Sequence, residues 1–357
     1  MLRRMLPLLT LALVWLAYLQ VLDAPLVWDD RRLILSGEAW ADRPNWYSHF
    51  IQPFWNRANF AKNPYYRPLS TLSLQLDHLL HGDISIGFHL TNLLLHSLNA
   101  LMLQRLLMRR GVRPSVAFLV TVAWALQPRL TEAAAWASGR TDVLACSFVL
   151  LALHVYGRES AIRGVLSALL VFLGMLAKEV AVGGFVTLLL LDWLGGAPAA
   201  LGKAEARRPV RVAFGACLVG YVGLRHWALG HRLAGSWPPL RERWWHPLEA
   251  LGRYSYDICL PWMPRLQQGE LDSPSWSFIA GGAVVLLSFL VFMGRRLRSG
   301  WPIVRSEPIG DRDWLRTAGT SLFVVSLLPV LHLVPIPTMV VAADRFLYVP
   351  TLGLALV

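Results

Sequence analysis

Apolar stretches of about spanning length recur along this chain, and they constrain its fold more than any other feature. A membrane-spanning helix needs roughly 20 consecutive, mostly apolar residues, with a range of about 17–25. Segments 5–22, 88–108, 114–128, 143–157, 161–177, 180–194, 209–229, 275–293 and 315–336 meet or approach that length, and a tenth opens near 346 and runs to Val357. Three of them, 114–128, 143–157 and 180–194, are short, which predicts tilted, kinked or internally packed helices. The fold class that follows is an all-α membrane protein, a multi-pass helical bundle.

Composition agrees. Hydrophobic residues make up 55% of the 357 residues and charged ones only 16%, where a soluble domain carries about 25%. The first apolar stretch follows MLRRM and leads into QVLDAPLVWDD without a small-residue cleavage site. It therefore reads as a retained helix rather than a signal peptide. Cys146, Cys217 and Cys259 show no ligand spacing, so neither a disulfide framework nor a zinc site follows.

The net charge of +12 invites a nucleic-acid reading, and its distribution rules that out. Lys and Arg in the short connections set membrane orientation. With the N-terminus inside, every inner connection is basic: Arg3 and Arg4; Arg109, Arg110 and Arg113; Arg158 and Arg163; Lys203, Arg207, Arg208 and Arg211; then the run from Arg295 to Arg316. The inner side takes 18 basic and 6 acidic residues, which is the whole excess, and leaves 16 of each outside. Only Lys62, Lys178 and Lys203 are lysines among the 34 basic residues, a bias that points to a high-GC bacterial genome. The expected location is then a bacterial inner membrane, with the polar face periplasmic.

Two long connections face outward, 23–87 and 230–274. They carry Trp28, Trp40, Trp46 and Trp55, and Trp237, Trp244, Trp245 and Trp262. Tryptophan is favoured at the membrane–water interface, so both connections are expected to hold interfacial helices.

Polar residues that no bilayer helix needs collect on this outer face. VWDD ends in Asp29 and Asp30. Adjacent carboxylates repel, and one of such a pair can serve as a general base; an N-cap for the next short helix is the alternative. QPRLTEAAAWASGRTD, residues 127–142, places Arg129, Glu132, Arg140 and Asp142 in one hairpin. Charges at membrane depth are functional hypotheses by default, although Thr131-Glu132 also suits a helix start. Lys178-Glu179 sits between two helices with almost no loop, either as a local ion pair or with the lysine aimed at a phosphate. AADRFLYVP, residues 342–350, brings Asp344, Arg345 and Tyr348 into the last helix. His89 and His96 lie on one helical face seven residues apart; most histidines of 64–96 read as hydrogen-bonded packing, with His89 at the outer end of its helix. No P-loop, dinucleotide fingerprint or GxSxG occurs.

In this order the clusters resemble those of the TMTC-type protein O-mannosyltransferases (transmembrane and tetratricopeptide repeat), in the GT-C glycosyltransferase architecture. The resemblance is carried by VWDD at 27–30, YYRPLSTLSLQLDHLLHG at 65–82, GFHLTNLLLHSLNAL at 87–101 and QPRLTEAAAWASGRTDVLA at 127–145. LAKEVAV at 176–182, LGRYSYDICLPW at 251–262 and ADRFLYVPTLGLAL at 343–356 complete it. It implies a GT-C-type bundle and inverting transfer of a mannose-like hexose from a polyprenyl-phosphate donor to an acceptor hydroxyl, on a protein or a lipid. It implies Asp29 and Asp30 as the catalytic acids of the first outer loop. Glu132 matches the acid of the second outer loop, orienting acceptor or sugar. A cation must meet the charge developing on the lipid phosphate, and Arg140, Lys178, Arg67 or Arg345 supplies it. Asp142, Glu179 and His89 complete the expected substrate-binding set. No metal ligand set is evident, and a divalent metal stays open as a cofactor.

Where the family commonly reads His-Pro-x-His-Thr-Glu, this chain has Gln127-Pro128-Arg129-Leu130-Thr131-Glu132. The repeats usual in the family do not follow, and the end in LGLALV is read as a truncated gene product. A single GT-C-like domain over 1–357 is thus expected. The competing readings are a lipid-linked sugar flippase or transporter and a catalytically degenerate scaffold.

Overall fold

The computed structural model describes residues 2–35, 45–55, 65–157, 160–194, 208–230, 243–262, 273–298, 310–333 and 340–357. Trp40 and Trp237, with Arg158, Lys203, Arg207 and Arg305 of the inner connections, lie outside the described residues.

Among the described residues every regular element is a helix. Counting helices of nine residues or more, they are α1 (Leu2–Tyr18), α2 (Pro68–His81), α3 (Ser85–Arg109), α4 (Pro114–Ala125), α5 (Arg140–Val155), α6 (Ala161–Ala177), α7 (Val182–Leu194), α8 (Arg208–Leu229), α9 (His246–Cys259), α10 (Trp276–Arg298), α11 (Asp311–Leu327) and α12 (Tyr348–Leu356). Five stretches are long and apolar enough to cross a membrane: Met5–Asp23, Ser85–Arg109, Ala137–Val155, Arg208–Leu229 and Asp311–Leu331. Pro114–Ala125, Ala161–Ala177 and Trp276–Val291 are shorter apolar helices. At 1.5 Å per residue the 13 residues of α7 rise about 20 Å, short of the roughly 30 Å hydrocarbon core.

The boundaries have local causes. Pro68 and Pro114 open α2 and α4, where a missing N–H costs nothing. Ser160 caps α6 by accepting from the Arg163 amide. Gly82 and Gly111, at positive φ, end α2 and α3.

Helix α5 is the centre of the bundle. Its span, Ala137–Val155, is the most buried of the five, at 72%, and α3, α6 and α12 pack on it. The sequence pattern starts this helix at 143; the structure starts it at Arg140, because Arg140 and Asp142 point inward to buried partners. One large apolar cluster runs through Leu103, Leu150, Val171, Phe214, Leu322 and Leu352. A smaller one gathers Tyr254, Leu327 and Leu347, and a third joins Ile34, Phe54, Leu74 and Phe88 beneath the first long connection. Close helix contact is set by glycine at α9–α10, where a Cβ on Gly252 or Gly282 would run into the backbone carbonyl of Phe278 or Leu248.

The two ends of the bundle differ. At one end Arg110 stacks 3.7 Å from the Trp314 ring and reaches Asp311, while Arg109 meets His154. At the other end lie the start of α5, the end of α6 and the first long connection, with the ion pairs of Arg67, Arg129, Arg140, Lys178 and Arg345. Both long connections hold helices. The first contains Asp30–Leu33, Ser48–Ile51 and α2, and the second contains α9.

Candidate functional site

The adjacent carboxylates part company at once. Trp28 has a φ of +48°, a conformation that costs a bulky residue about 1–3 kcal/mol. It turns the chain so that Asp30 points inward and Asp29 does not. Asp30 is fully buried. One of its oxygens accepts from the Ser138 amide at 2.9 Å and from the Ser138 hydroxyl, and the other accepts from the Val27 amide at 3.2 Å. Asp29 makes no side-chain hydrogen bond or ion pair with the described residues. Partial burial raises its pKa, while the positive fields of Arg345, Arg32 and Arg67 act in the opposite direction. Burial also raises that of Asp30, against the opposing hydrogen bonds from Ser138.

The hairpin 127–142 folds as three short helical turns, Pro128–Leu130, Thr131–Ala135 and Ala137–Gly139. Gly139 lies so close to the Ala133 carbonyl that no Cβ would fit there. Glu132 accepts from the Arg345 amide at 2.8 Å and from its guanidinium, which fixes the start of α12 beside Asp29. Burial raises the Glu132 pKa and Arg345 counters it. Arg129 is fully buried between Asp344 at 3.0 Å and Asp257 at 3.1 Å, and it donates to the Leu260 carbonyl. It thereby ties α9 to the chain entering α12. Arg140 is equally buried, bonded to Asn92, Asp77 and the Phe88 carbonyl at 2.5, 2.6 and 2.8 Å.

The junction between α6 and α7 supplies two more ion pairs. Lys178 places its ammonium 2.7 and 2.6 Å from the two oxygens of Asp142. Burial lowers the Lys178 pKa and Asp142 offsets part of that. Arg67 grips Glu179 with two parallel bonds of 3.0 and 2.6 Å, the strong bidentate form. Burial alone would raise Glu179, but Arg67 outweighs it and draws the pKa down to about 2. The Arg67 guanidinium also lies 4.5 Å from the Tyr65 ring.

A cavity opens between these pairs and the end of α11. Tyr65, Arg67, Lys178, Val330, His332 and Phe346 line it. His332, like Trp28, is a non-glycine residue at positive φ, +56°. Glu179 lines the cavity too, so one side carries the Arg67–Glu179 pair and the Lys178 ammonium, and Pro329, Val330 and Phe346 make an apolar side.

Of the residues the sequence singled out, the structure brings Asp29, Arg67, Glu132, Asp142, Lys178, Glu179 and Arg345 to one end of the bundle. Asp30, Arg140 and His89 stand behind them, with their polar atoms engaged in the scaffold. The two ring nitrogens of His89 lie 2.9 Å from the Ala135 carbonyl and 3.1 Å from that of Ala24. Sequence reasoning did not single out Ser138, Asp77, Asn92, Asp257 or Phe346. Trp136 carried a signal, as the one large aromatic in a hairpin of small residues. Among the described residues no cluster of three or more His, Cys, Asp or Glu is placed to hold a metal ion.

Fold and site together define an all-α, multi-pass membrane protein with a charged, partly apolar site at one end of its bundle. Over about half its length the chain is similar to proteins named protein O-mannosyl-transferase. It is 32% identical to Tmtc1 of Drosophila melanogaster over 193 residues, which is 51% of this chain and 22% of that protein. It is 32% identical to Tmtc2 of the same organism over 212 residues, 55% of this chain and 22% of that protein. Protein O-mannosyl-transferase F38B6.6 of Caenorhabditis elegans is 30% identical over 199 residues, 54% of this chain and 28% of its own length. The match therefore spans only about a quarter of these relatives. No protein-family model matches the chain, and no solved structure does.

Proposed function

We propose that this protein is an integral-membrane glycosyltransferase of GT-C type. It transfers a mannose-like hexose from a polyprenyl-phosphate donor to an acceptor hydroxyl, with inversion. The acceptor class that the relatives' name favours is protein Ser or Thr. In this reading the N-terminus is cytoplasmic, the membrane is a bacterial inner membrane, and the site faces the periplasm.

The observation that carries the reading is Asp29. It is a carboxylate without a hydrogen-bonding partner among the described residues, and it stands in the positive field of Arg345 and Arg67. Transfer needs a base for the acceptor proton and a cation for the leaving phosphate. Asp29 takes the proton from the acceptor hydroxyl as its oxygen attacks the anomeric carbon. The bond from that carbon to the phosphate oxygen breaks, and its electrons stay on the lipid phosphate. Arg345, Arg67 and Lys178, each paired with a carboxylate at this end of the bundle, are the cations nearest to that charge. Asp30 holds the loop that carries Asp29.

Membranes supplied with a labelled polyprenyl-phosphate hexose test this directly. Asp29→Asn is expected to lower transfer by about 10²–10⁴-fold, the usual contribution of a general base, while the protein stays folded. Asp30→Asn sets an amide NH2 against the Val27 or Ser138 N–H and is expected to cost about 1–3 kcal/mol of stability. Full transfer by Asp29→Asn would overturn the assignment of the base. Movement of the lipid across proteoliposomes without covalent product would favour a flippase instead.

A further inference from the structure

Aromatic rings and cations make successive contacts from the residue before Asp29 to the cavity. The Trp28 ring meets Trp136 edge-on, with centroids 5.9 Å apart. The Arg345 guanidinium lies 5.5 Å from the Trp136 ring and 4.9 Å from the Phe346 ring. The Lys178 ammonium lies 5.2 Å from Phe346 on the cavity side. The order in space is therefore two indoles, a guanidinium, a phenyl ring and an ammonium, ending against Val330 and Pro329.

Trp28 does not behave like the other exposed tryptophans of this chain. Trp46, Trp244, Trp262 and Trp276 are also exposed, as expected for rings at a membrane interface. Trp28 alone among them takes a strained positive φ and is bonded in sequence to Asp29. Its ring partner Trp136 is anchored by donating to the Val27 carbonyl, the residue before Trp28. The same turn that buries Asp30 thus holds the Trp28 indole edge-on to Trp136 with 52% of its surface open. An open indole face, fixed by a second ring and placed next to the proposed base, is a surface on which a sugar ring can stack.

We propose that Trp28, backed by Trp136, forms the wall against which the hexose ring of the donor stacks. This deepens the proposed transferase function and rests on it. This succession of contacts gives the donor a direction. The apolar C–H face of the sugar lies on the indoles beside Asp29, the phosphate lies by Arg345 and Lys178, and the first isoprene units lie against Phe346, Val330 and Pro329. The anomeric carbon then sits between the leaving phosphate and an acceptor hydroxyl held at Asp29, as in-line inversion requires. Trp28 is a substrate-binding residue in this arrangement, and Trp136 positions it.

The test uses the full chain in lipid nanodiscs. Binding is measured for a polyprenyl-phosphate mannose and for the same polyprenyl phosphate without sugar. Trp28→Leu is expected to weaken the mannosyl lipid about tenfold, the order of a lost aromatic contact, and to leave the sugar-free lipid unchanged. Trp28→Phe keeps a ring face and is expected to stay within about threefold of the parent protein. Trp28→Gly suits a φ of +48° and is expected to hold or raise the melting temperature while losing the preference for the mannosyl lipid. Equal loss for both lipids, no loss for either, or a fall in melting temperature with Trp28→Gly makes the ring structural and overturns the proposal. If the parent chain binds neither lipid, the transferase reading itself fails, an outcome separate from a parent that binds both and a Trp28→Leu variant that matches it.

Discussion

At the residue scale, protonation decides whether Asp29 can act. Burial raises its pKa above the usual value of about 3.9. A base must be ionised, so kcat/KM is expected to fall as pH drops through that raised value. Arg32 favours the ionised form. Arg32→Gln should therefore shift the acid limb of the pH–rate profile to higher pH, and a shift to lower pH would exclude Asp29 as the titrating base. Glu179 has the opposite sign. Its pKa in the folded protein is drawn down to about 2. The stability it supplies is complete above its unfolded pKa near 4.3 and is lost as pH falls from there through about 2. Thermal unfolding in detergent should show that acid loss in the parent protein and a smaller one in Glu179→Gln. Arg140 belongs to the scaffold, and its loss strands Asp77 in a buried position. Arg140→Met is expected to cost about 3–5 kcal/mol, read as a lower melting temperature rather than as a change in donor affinity.

At the scale of elements, the spacing of apolar residues was a good guide to helices and a poor guide to what joins them. The stretch 161–177 is a helix at those residues, and the stretches at 88–108 and 209–229 are extended by only a few. Apolar periodicity responds to burial along one segment, and burial is what a bundle enforces. The hairpin 127–142 gives no such signal. Its three short turns exist because Glu132, Arg129 and Arg140 each reach partners that are distant in sequence. Helix α9 is amphipathic and lies outside the apolar stretches, and it is fixed by the Arg129–Asp257 pair and by glycine contact with α10. Gly282→Val pushes a branched side chain into the Leu248 carbonyl. It should separate α9 from α10 and cost about 1–3 kcal/mol, the usual penalty of overpacking, with thermal stability in detergent as the measure.

At the scale of the whole molecule, the charge distribution and the site belong to opposite ends of one bundle. The basic end gathers Arg109 and Arg110 with the start of α11, and the other end gathers the ion pairs around Asp29. The proposed N-inside topology makes a direct prediction through Cys259, which is exposed near the end of α9 while Cys146 and Cys217 are buried. A membrane-impermeant maleimide should label Cys259 on spheroplasts and fail to label Cys259→Ser. Labelling only after lysis would invert the topology.

The sequence by itself determined the class of fold, the segments that become helices and the end of the bundle where charge collects. Those properties follow from hydropathy and from the placement of Lys and Arg, which act segment by segment. The sequence also singled out Asp29, Glu132, Lys178 and Arg345 as charges at helix ends that need partners or a task, and Arg67 through the family resemblance. Only the tertiary structure separated Asp29 from Asp30, since Ser138, which holds Asp30, lies more than a hundred residues away. Only the tertiary structure joined Arg140 to the scaffold and brought Trp28, Trp136, Arg345, Phe346 and Lys178 into successive contact. The physical reason is the same in each case. Whether a charged side chain is engaged in the scaffold or open at the site depends on which distant donor or ring the fold brings to within a few ångströms of it, and local sequence pattern does not record that.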